Sequence, residues 1–335
     1  MSKPFITVII QAFKRKEFIE NAIMSVLNQT LEKQKYEIIV IKAFRDKKID
    51  ALIKRYKIKS VYNPSKKEGI RLISAFNRIR GQIIAFLDDD DEFEPNKLES
   101  VYKYFKENSD LIFYHNSYSI INEKGIIVKN NVCNFSSNSS NLLIKDARNN
   151  LNEIIQRWHI QENASSMVVK RELIQKNANE LKKIGVSLDA FLLLVVLLDN
   201  GKILADKKAL TRYRIHGLGQ VTYGKLDTFN EFCLSEAELT KKAYKEAKIL
   251  YNIANNTPFE IMYKINLIET KIYYNLFNAK CKKHSTSTTS DYALFLNSKH
   301  YSKSSISLVL QAVISRFFKA TILKLIYAHA IKQRK

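Results

Sequence analysis

Apolar residues come in short bursts along this chain, and the bursts alternate with stretches of helical period. Phe5-Ile6-Thr7-Val8-Ile9-Ile10 has almost no polar alternation and reads as a strand buried on both faces. Phe18, Ile19, Ala22, Ile23, Val26 and Leu27 then recur at helical spacing and predict a helix over 16–28. Tyr36 to Ile41 is a second strand, 49–56 suits a helix, and Ser60-Val61-Tyr62 is a short third strand. A helix is predicted over 71–80, with Gly81 as its stop. Ile83-Ile84-Ala85-Phe86-Leu87 is the next buried strand. Pro95 then opens a helix with Leu98, Val101, Tyr102 and Phe105 on its apolar face. Alternation at this pitch predicts a parallel, doubly wound α/β sheet.

Beyond Asp110 the pattern changes. Leu111–Tyr114, Tyr118–Ile121 and Ile126–Val128 read as strands, with a turn at Asn122–Gly125. The Asn/Ser-rich run 130–141 reads as a loop. A strand at Ser165–Val169 and a helix over 171–183 follow. Leu188–Asp199 is apolar nearly all round and predicts a buried helix behind a Ser187 cap. Lys202–Ala205 and Leu210–Arg214 read as two short strands, and 228–254 and 259–282 as amphipathic helices. The run STSTTS at 285–290 is a linker. Ser304–Lys332 is a last helix, about 40 Å long. It mixes Val309, Phe317, Phe318 and Ile326 with Arg316, Lys319 and Lys324. Two readings fit it: a helix lying in a membrane interface, or one packing on protein.

The densest chemistry is Asp88-Asp89-Asp90-Asp91, directly after the Ile83–Leu87 strand. Charge cannot stay inside a buried strand, so the aspartates emerge at its C-terminal end, where open α/β sheets bind ligands. Adjacent carboxylates repel, and a divalent cation holds them together ionised. Oxygen-only ligands suit Mg²⁺ or Mn²⁺ rather than zinc.

Composition narrows the partners. Lys and Arg number 55 against 33 acids, a formal net charge of +22. Such a balance favours polyanions: nucleic acid, an anionic membrane surface or phosphorylated small molecules. Three scattered cysteines, Cys133, Cys233 and Cys281, argue for thiols in a reducing compartment. The Phe5–Ile10 run is too short for a secretory leader. No stretch of about 18 uncharged apolar residues predicts a spanning helix.

Several segments, taken together and in order, resemble the inverting family 2 glycosyltransferases of the GT-A fold. They are Val8–Arg15, Ser25-Val26-Leu27-Asn28-Gln29-Thr30, Tyr36–Val40, Gly81–Asp91 with Pro95 and Leu98, and Leu210-Thr211-Arg212-Tyr213-Arg214-Ile215-His216. The resemblance covers about residues 3–222. It implies an α/β, Rossmann-like, mixed and mainly parallel sheet with helices on both faces, followed by a C-terminal α-helical extension. It also implies a catalytic domain over 1–222; beyond it the residue pattern itself predicts a helical extension over 223–284, a linker over 285–303 and a basic amphipathic helix over 304–335.

The site residues follow from the same resemblance. Asp88 and Asp90 would form the DxD pair, Asp90 on the metal and Asp88 at the ribose and metal. Asp91 would support them and, with Asp88 and Asp89, would join the donor-binding set, although alternation along an extended chain would point Asp89 away. Gln11, Ala12, Phe13, Arg15, Lys42 and Arg71 would meet the donor. Lys42 and Phe44 stand where most members carry an acidic pair, with Asp46 as the nearest substitute acid. His216 would reach the metal or the diphosphate; a surface histidine beside Arg212 and Arg214 is the other reading. Asp189 would be the general base. An acid in a first helical turn also complements the helix dipole, so a purely structural Asp189 stays open.

The activity expected is transfer of a sugar from a nucleotide diphosphate-sugar to a hydroxyl of a glycan or polyprenyl-linked acceptor, with Mn²⁺ or Mg²⁺. The setting expected is cytoplasmic, peripheral at the inner face of the cell membrane. The alternatives are a non-catalytic glycan-binding relative and a basic nucleic-acid-binding protein; no nucleic-acid module is visible.

Overall fold

The computed structural model describes residues 3–13, 15–130, 141–150, 154, 162–199, 201–216, 229–278 and 326. It divides into two units, Met1–Ile215 and His216–Lys335. The first is built on one ten-stranded sheet. Its parallel half is β1 (Ile6–Ala12), flanked by β2 (Tyr36–Lys42) and β4 (Ile83–Asp88), with β3 (Lys59–Tyr62) outside β2. The other half is mixed. β9 (Met167–Lys170) lies antiparallel between β4 and β6 (Leu111–Ile121). β10 (Lys202–Arg214) runs parallel to β6, and β5 (Glu92–Phe93) closes antiparallel on β10. β7 (Ile127–Lys129) pairs with β6, and β8 (Leu142–Ile144) with β10.

The three buried strands expected in the first half form for the reason their composition suggests. Every residue of β1 is buried, and so are all of β4 but Asp88. Helices α1 (Ile19–Leu27), α2 (Lys47–Arg55), α3 (Glu68–Ser74) and α4 (Lys97–Glu107) connect them. α1 buries Ile19, Ala22, Ile23 and Val26, and α4 buries Leu98, Val101 and Phe105. Both faces join one core with Ile6, Val8, Ile38, Val40 and Leu87. Asp46 caps α2 by accepting from the N–H groups of Lys48 and Ile49. The helix Leu188–Asp199 buries eight of its apolar side chains, each contributing about 1.5–3 kcal/mol of burial.

Several boundaries differ from the sequence expectation. The helix expected at 71–80 is α3, beginning at Glu68 and ending at Ser74, then a 3₁₀ turn at Phe76–Arg78. Gly81 is required by closeness rather than as a helix stop. Its N–H donates to Thr7 Oγ1, and a Cβ there would lie 2.5 Å from the Thr7 nitrogen. The helix expected at 171–183 is two short ones, Arg171–Lys176 and Ala178–Leu181. Two pairs of predicted short strands are single long strands, β6 and β10, because polar residues in their middles are buried and bonded. His115, Asn116 and Ser117 are fully buried in β6, and Asp206 in β10 takes the Tyr114 hydroxyl at 2.9 Å. β5 was not expected.

The second unit contains helices Phe229–Ala254 and Glu260–Phe277. Phe232 meets Phe277 edge to face at 5.9 Å. Phe232, Leu276 and Phe277 form a small cluster against which Ile326 packs. No described helix is long and apolar enough to cross a membrane. The 131–140 stretch of the Asn/Ser loop and the linker at 285–290 lie outside the described residues. So does the last helix over 304–332, Ile326 excepted.

Candidate active site

The four aspartates sit where β4 ends and the chain turns into β5. Gln11 on β1 stands opposite Asp88 in the parallel register, so the turn emerges at the carboxyl edge of the central strands. Asp91 N–H closes the turn on the Asp88 carbonyl at 3.3 Å, and Asp88 N–H donates to Ser165 Oγ at 3.0 Å. Asp88, Asp90 and Asp91 each present an oxygen, all within 4.8 Å of one another. Two carboxylates at that separation repel by roughly 3 kcal/mol at an effective dielectric near 20. Burial pushes Asp88 up to about 6, with Asp90 adding to the rise, and raises Asp91 well above the carboxylate range.

Asp89 does not point away. It is 2 % exposed and accepts from Arg15 Nη2 at 2.6 Å, while Arg15 Nη1 reaches Asp90 Oδ2 at 2.5 Å. The alternation expected of an extended chain fails because the chain turns here, so successive side chains share a side. Burial pushes Asp89 up to about 7 despite Arg15. Burial also opposes the Arg15 charge, but Asp89, Asp90 and Asp88 outweigh it and hold Arg15 above its ordinary value. Asp89 Oδ2 and Asp91 Oδ2 are buried with no hydrogen-bond partner. An all-oxygen trio with an unpaired buried carboxylate oxygen fits a hard divalent cation.

Asp189 stands in the first turn of the Leu188–Asp199 helix, where its Oδ1 accepts from the Ala190 N–H at 2.8 Å. The Phe191 N–H bonds the Ser187 carbonyl at 3.1 Å. Burial lifts Asp189 to about 7, and the charges of Asp88 and Glu162 add to the rise. Asp189 therefore feels the carboxylate turn electrostatically, across about a hundred residues of chain.

Of the expected donor residues, Gln11 and Ala12 end β1, Lys42 ends β2 and Arg71 lies on α3. Ala12 is fully buried, and Gln11 Oε1 has no partner. Arg71 stacks over the Phe13 ring at 4.9 Å and bonds the Ser65 carbonyl at 3.0 Å. Its Nε is buried without a partner, and burial lowers its pKa against the charges of Glu68, Asp88 and Asp89. Lys42 Nζ is held by Asp50 at 2.6 Å and by the Phe44 carbonyl at 3.1 Å. Asp46 is occupied as the α2 cap and by Lys16 at 3.2 Å. His216 opens the second unit and is 4 % exposed, so it is not the surface histidine of the other reading.

Sequence reasoning missed two cations that support the turn. Lys97 is wholly buried beside Phe93, its Nζ 3.9 Å from the ring centroid. It donates to the Ser165 carbonyl and, at 2.9 Å, to Thr211 Oγ1. Burial lowers its pKa well below the ordinary value, with the Asp91 charge acting against that. A lysine in the first turn of a helix opposes the dipole, and that was the available signal. Arg214 was visible only as part of a motif, with nothing to say that it would reach back to Asp90.

The sequence profile of Glycosyl transferase family 2 matches residues 7–163. Asp189, Arg214 and His216 lie beyond that match. An uncharacterized glycosyltransferase of Rickettsia bellii is 40% identical over 140 residues, which is 40% of this chain and 20% of the relative. The matched stretch spans between 20% and 50% of the length of the curated relatives it resembles. Among solved structures, Staphylococcus aureus TarS residues 1–349 in complex with UDP-GlcNAc aligns at TM-score 0.54 and 13% identity. That alignment covers 98% of this chain and 91% of the TarS 1–349 chain. The Pyrobaculum calidifontis mannosyltransferase PcManGT, in complex with GDP-Man and Mn²⁺, aligns at TM-score 0.54 and 11% identity, covering 99% and 86%. At such identities the likeness is one of fold. The architecture is that of the GT-A glycosyltransferases, and residues 7–163 of this chain carry the sequence pattern of glycosyl transferase family 2.

Proposed function

We propose that the chain moves a sugar from a nucleotide diphosphate-sugar to a hydroxyl of a glycan or lipid-linked acceptor, in one displacement with inversion. One juxtaposition carries this reading. Three carboxylates lie within 4.8 Å at the carboxyl edge of the sheet, and a separate acid, Asp189, close enough to feel Asp88, is pushed by burial up to about 7. The first group suits the leaving diphosphate; the second suits a proton.

Asp88, Asp90 and Asp91 would hold Mn²⁺ or Mg²⁺. When bound, the ion supplies positive charge beside the departing diphosphate. Arg15 and Arg71 add cationic charge on the same side. Phe13, stacked under Arg71, and Gln11, whose carbonyl oxygen lacks a partner, line the donor face. Asp189, as the carboxylate, accepts the proton of the acceptor hydroxyl on the opposite face of the sugar. Its place on a buried helix holds it still while the acceptor approaches. Residues 1–222 form the catalytic domain on this reading. The basic stretch 304–335 holds the protein at the inner face of the membrane, where a polyprenyl-linked acceptor resides.

A thermal-shift series tests the reading. UDP- and GDP-sugars are added with Mn²⁺ to the wild-type chain and to Asp90→Ala. At about 100 times its dissociation constant a true donor stabilises the fold by roughly 2.7 kcal/mol. That Mn²⁺-dependent gain is expected with at least one donor class and is absent in Asp90→Ala. No gain with any nucleotide-sugar sinks the proposal.

A further inference from the structure

The side chain of Arg214 is 1 % exposed and hydrogen-bonds two separate segments. Its Nε donates to the Asp90 carbonyl at 2.8 Å, and its Nη2 pairs with the Glu92 carboxylate. Its Nη1 donates to the carbonyls of Asn122 at 2.9 Å and Glu123 at 3.1 Å. Its own backbone N–H donates to Asp91 Oδ1 at 2.9 Å. The guanidinium lies against the Phe18 ring, 4.7 Å from the centroid.

The segment that Arg214 grips on its far side is itself fixed. The Asn122 side-chain oxygen accepts from the N–H groups of Lys124 and Ile126, both at 3.0 Å, and Gly125 takes a φ of +78° to close the turn. That φ is accessible to glycine at no steric cost. The β6–β7 turn is thus a firm abutment, and Arg214 spans from it to the carboxylate turn.

We infer that Arg214 is the positioning residue of the carboxylate trio: its fork fixes the backbone of Asp90 and its N–H orients Asp91, so that the trio is preorganised for a divalent cation. The inference rests on the metal reading above for its consequence, but the ordering of the turn is a separate observable. A guanidinium fits because its donors are fixed in one plane and can meet acceptors on two segments at once; an ammonium is a point charge on a flexible stem. Groups that orient metal ligands carry 10–100-fold in metal affinity when removed.

The test uses the full chain in three forms: wild type, Arg214→Lys and Arg214→Met. Mn²⁺ binding is measured by calorimetry, and hydrogen exchange of the peptide spanning Asp90–Phe93 is measured without metal. Both variants are expected to bind Mn²⁺ about 10–100-fold more weakly, with faster exchange at Asp90–Phe93, and Arg214→Lys is expected not to rescue. Wild-type affinity and wild-type exchange in folded Arg214→Lys overturn the inference, whatever the fate of Arg214→Met. Mn²⁺ binding that is missing in the wild type, or kept in Asp90→Ala, removes the metal reading instead. The exchange measurement then decides Arg214 alone: unchanged protection in Arg214→Lys refutes it.

Discussion

One guanidinium holds two neighbouring aspartates. Arg15 reaches Asp89 at 2.6 Å and Asp90 at 2.5 Å, from a loop 74 residues earlier in the chain. Asp90 is thereby shared between an internal cation and the trio it forms with Asp88 and Asp91. Removing Arg15 leaves buried carboxylates without their counter-charge. Arg15→Met is expected to lose about 3 kcal/mol of stability in urea unfolding with a chelator present. Added Mn²⁺ should recover much of that loss. A chelated variant as stable as wild type would mean that the pair is decorative.

Stability should also fall with rising pH when divalent ions are chelated. Burial pushes Asp88 up to about 6, and Asp89 and Asp189 up to about 7, from an unfolded value of about 4. Between those limits the folded chain binds more protons than the unfolded one. The stabilisation is therefore complete below about pH 4 and lost as the pH climbs through 6 to 7. Chelated protein is expected to melt lower at pH 8 than at pH 5.5. Mn²⁺ should raise the melting temperature more at pH 8, because its ligands must be ionised.

Asp189→Asn tests the proton acceptor. The substitution keeps size and removes the base, so turnover is expected to fall by about 10²–10⁴. Donor-induced thermal stabilisation should stay at the wild-type level, since Asp189 is not among the three carboxylates that would hold the ion. Wild-type activity below pH 7 should decline with a limb near the Asp189 value. Turnover of Asp189→Asn within tenfold of wild type would assign the residue to the helix dipole alone.

Lys97→Met examines the support beneath the turn. The methionine fills the space but removes the Lys97 hydrogen bonds to the Ser165 carbonyl and Thr211 Oγ1, leaving the carbonyl with Thr211 Oγ1 at 3.2 Å and Thr211 Oγ1 with the Asn116 amide at 2.9 Å. A cost of about 1–3 kcal/mol is expected in chemical denaturation. Ser165 also receives the Asp88 N–H, so weaker Mn²⁺ binding should accompany the loss.

Much of the fold was legible because its signals are local. The apolar runs of β1, β2 and β4 and the periodic faces of α1 and α4 each lie within a dozen residues. Burial then selects the period that a sheet or helix can satisfy. The merged strands β6 and β10 were not legible. A polar residue marks a break in sequence, yet Asn116 and Asp206 continue their strands because distant partners bond the Asn116 amide nitrogen and the Asp206 carboxylate. Asn116 donates to Thr211 Oγ1 at 2.9 Å, and Asp206 accepts from Tyr114 at 2.9 Å.

By itself the sequence determined the α/β class, the position of the aspartates at the end of a buried strand, and Asp189 as a distinct acid at a helix start. Each of these depends on neighbours along the chain. Only the tertiary structure decided that Asp91 joins Asp88 and Asp90, that Asp89 faces Arg15, and that Lys97 and Arg214 brace the turn. These relationships join residues 68 to 124 positions apart where they involve Lys97 and Arg214. A buried charge is stable only against partners that folding brings to it, and no local pattern names those partners in advance.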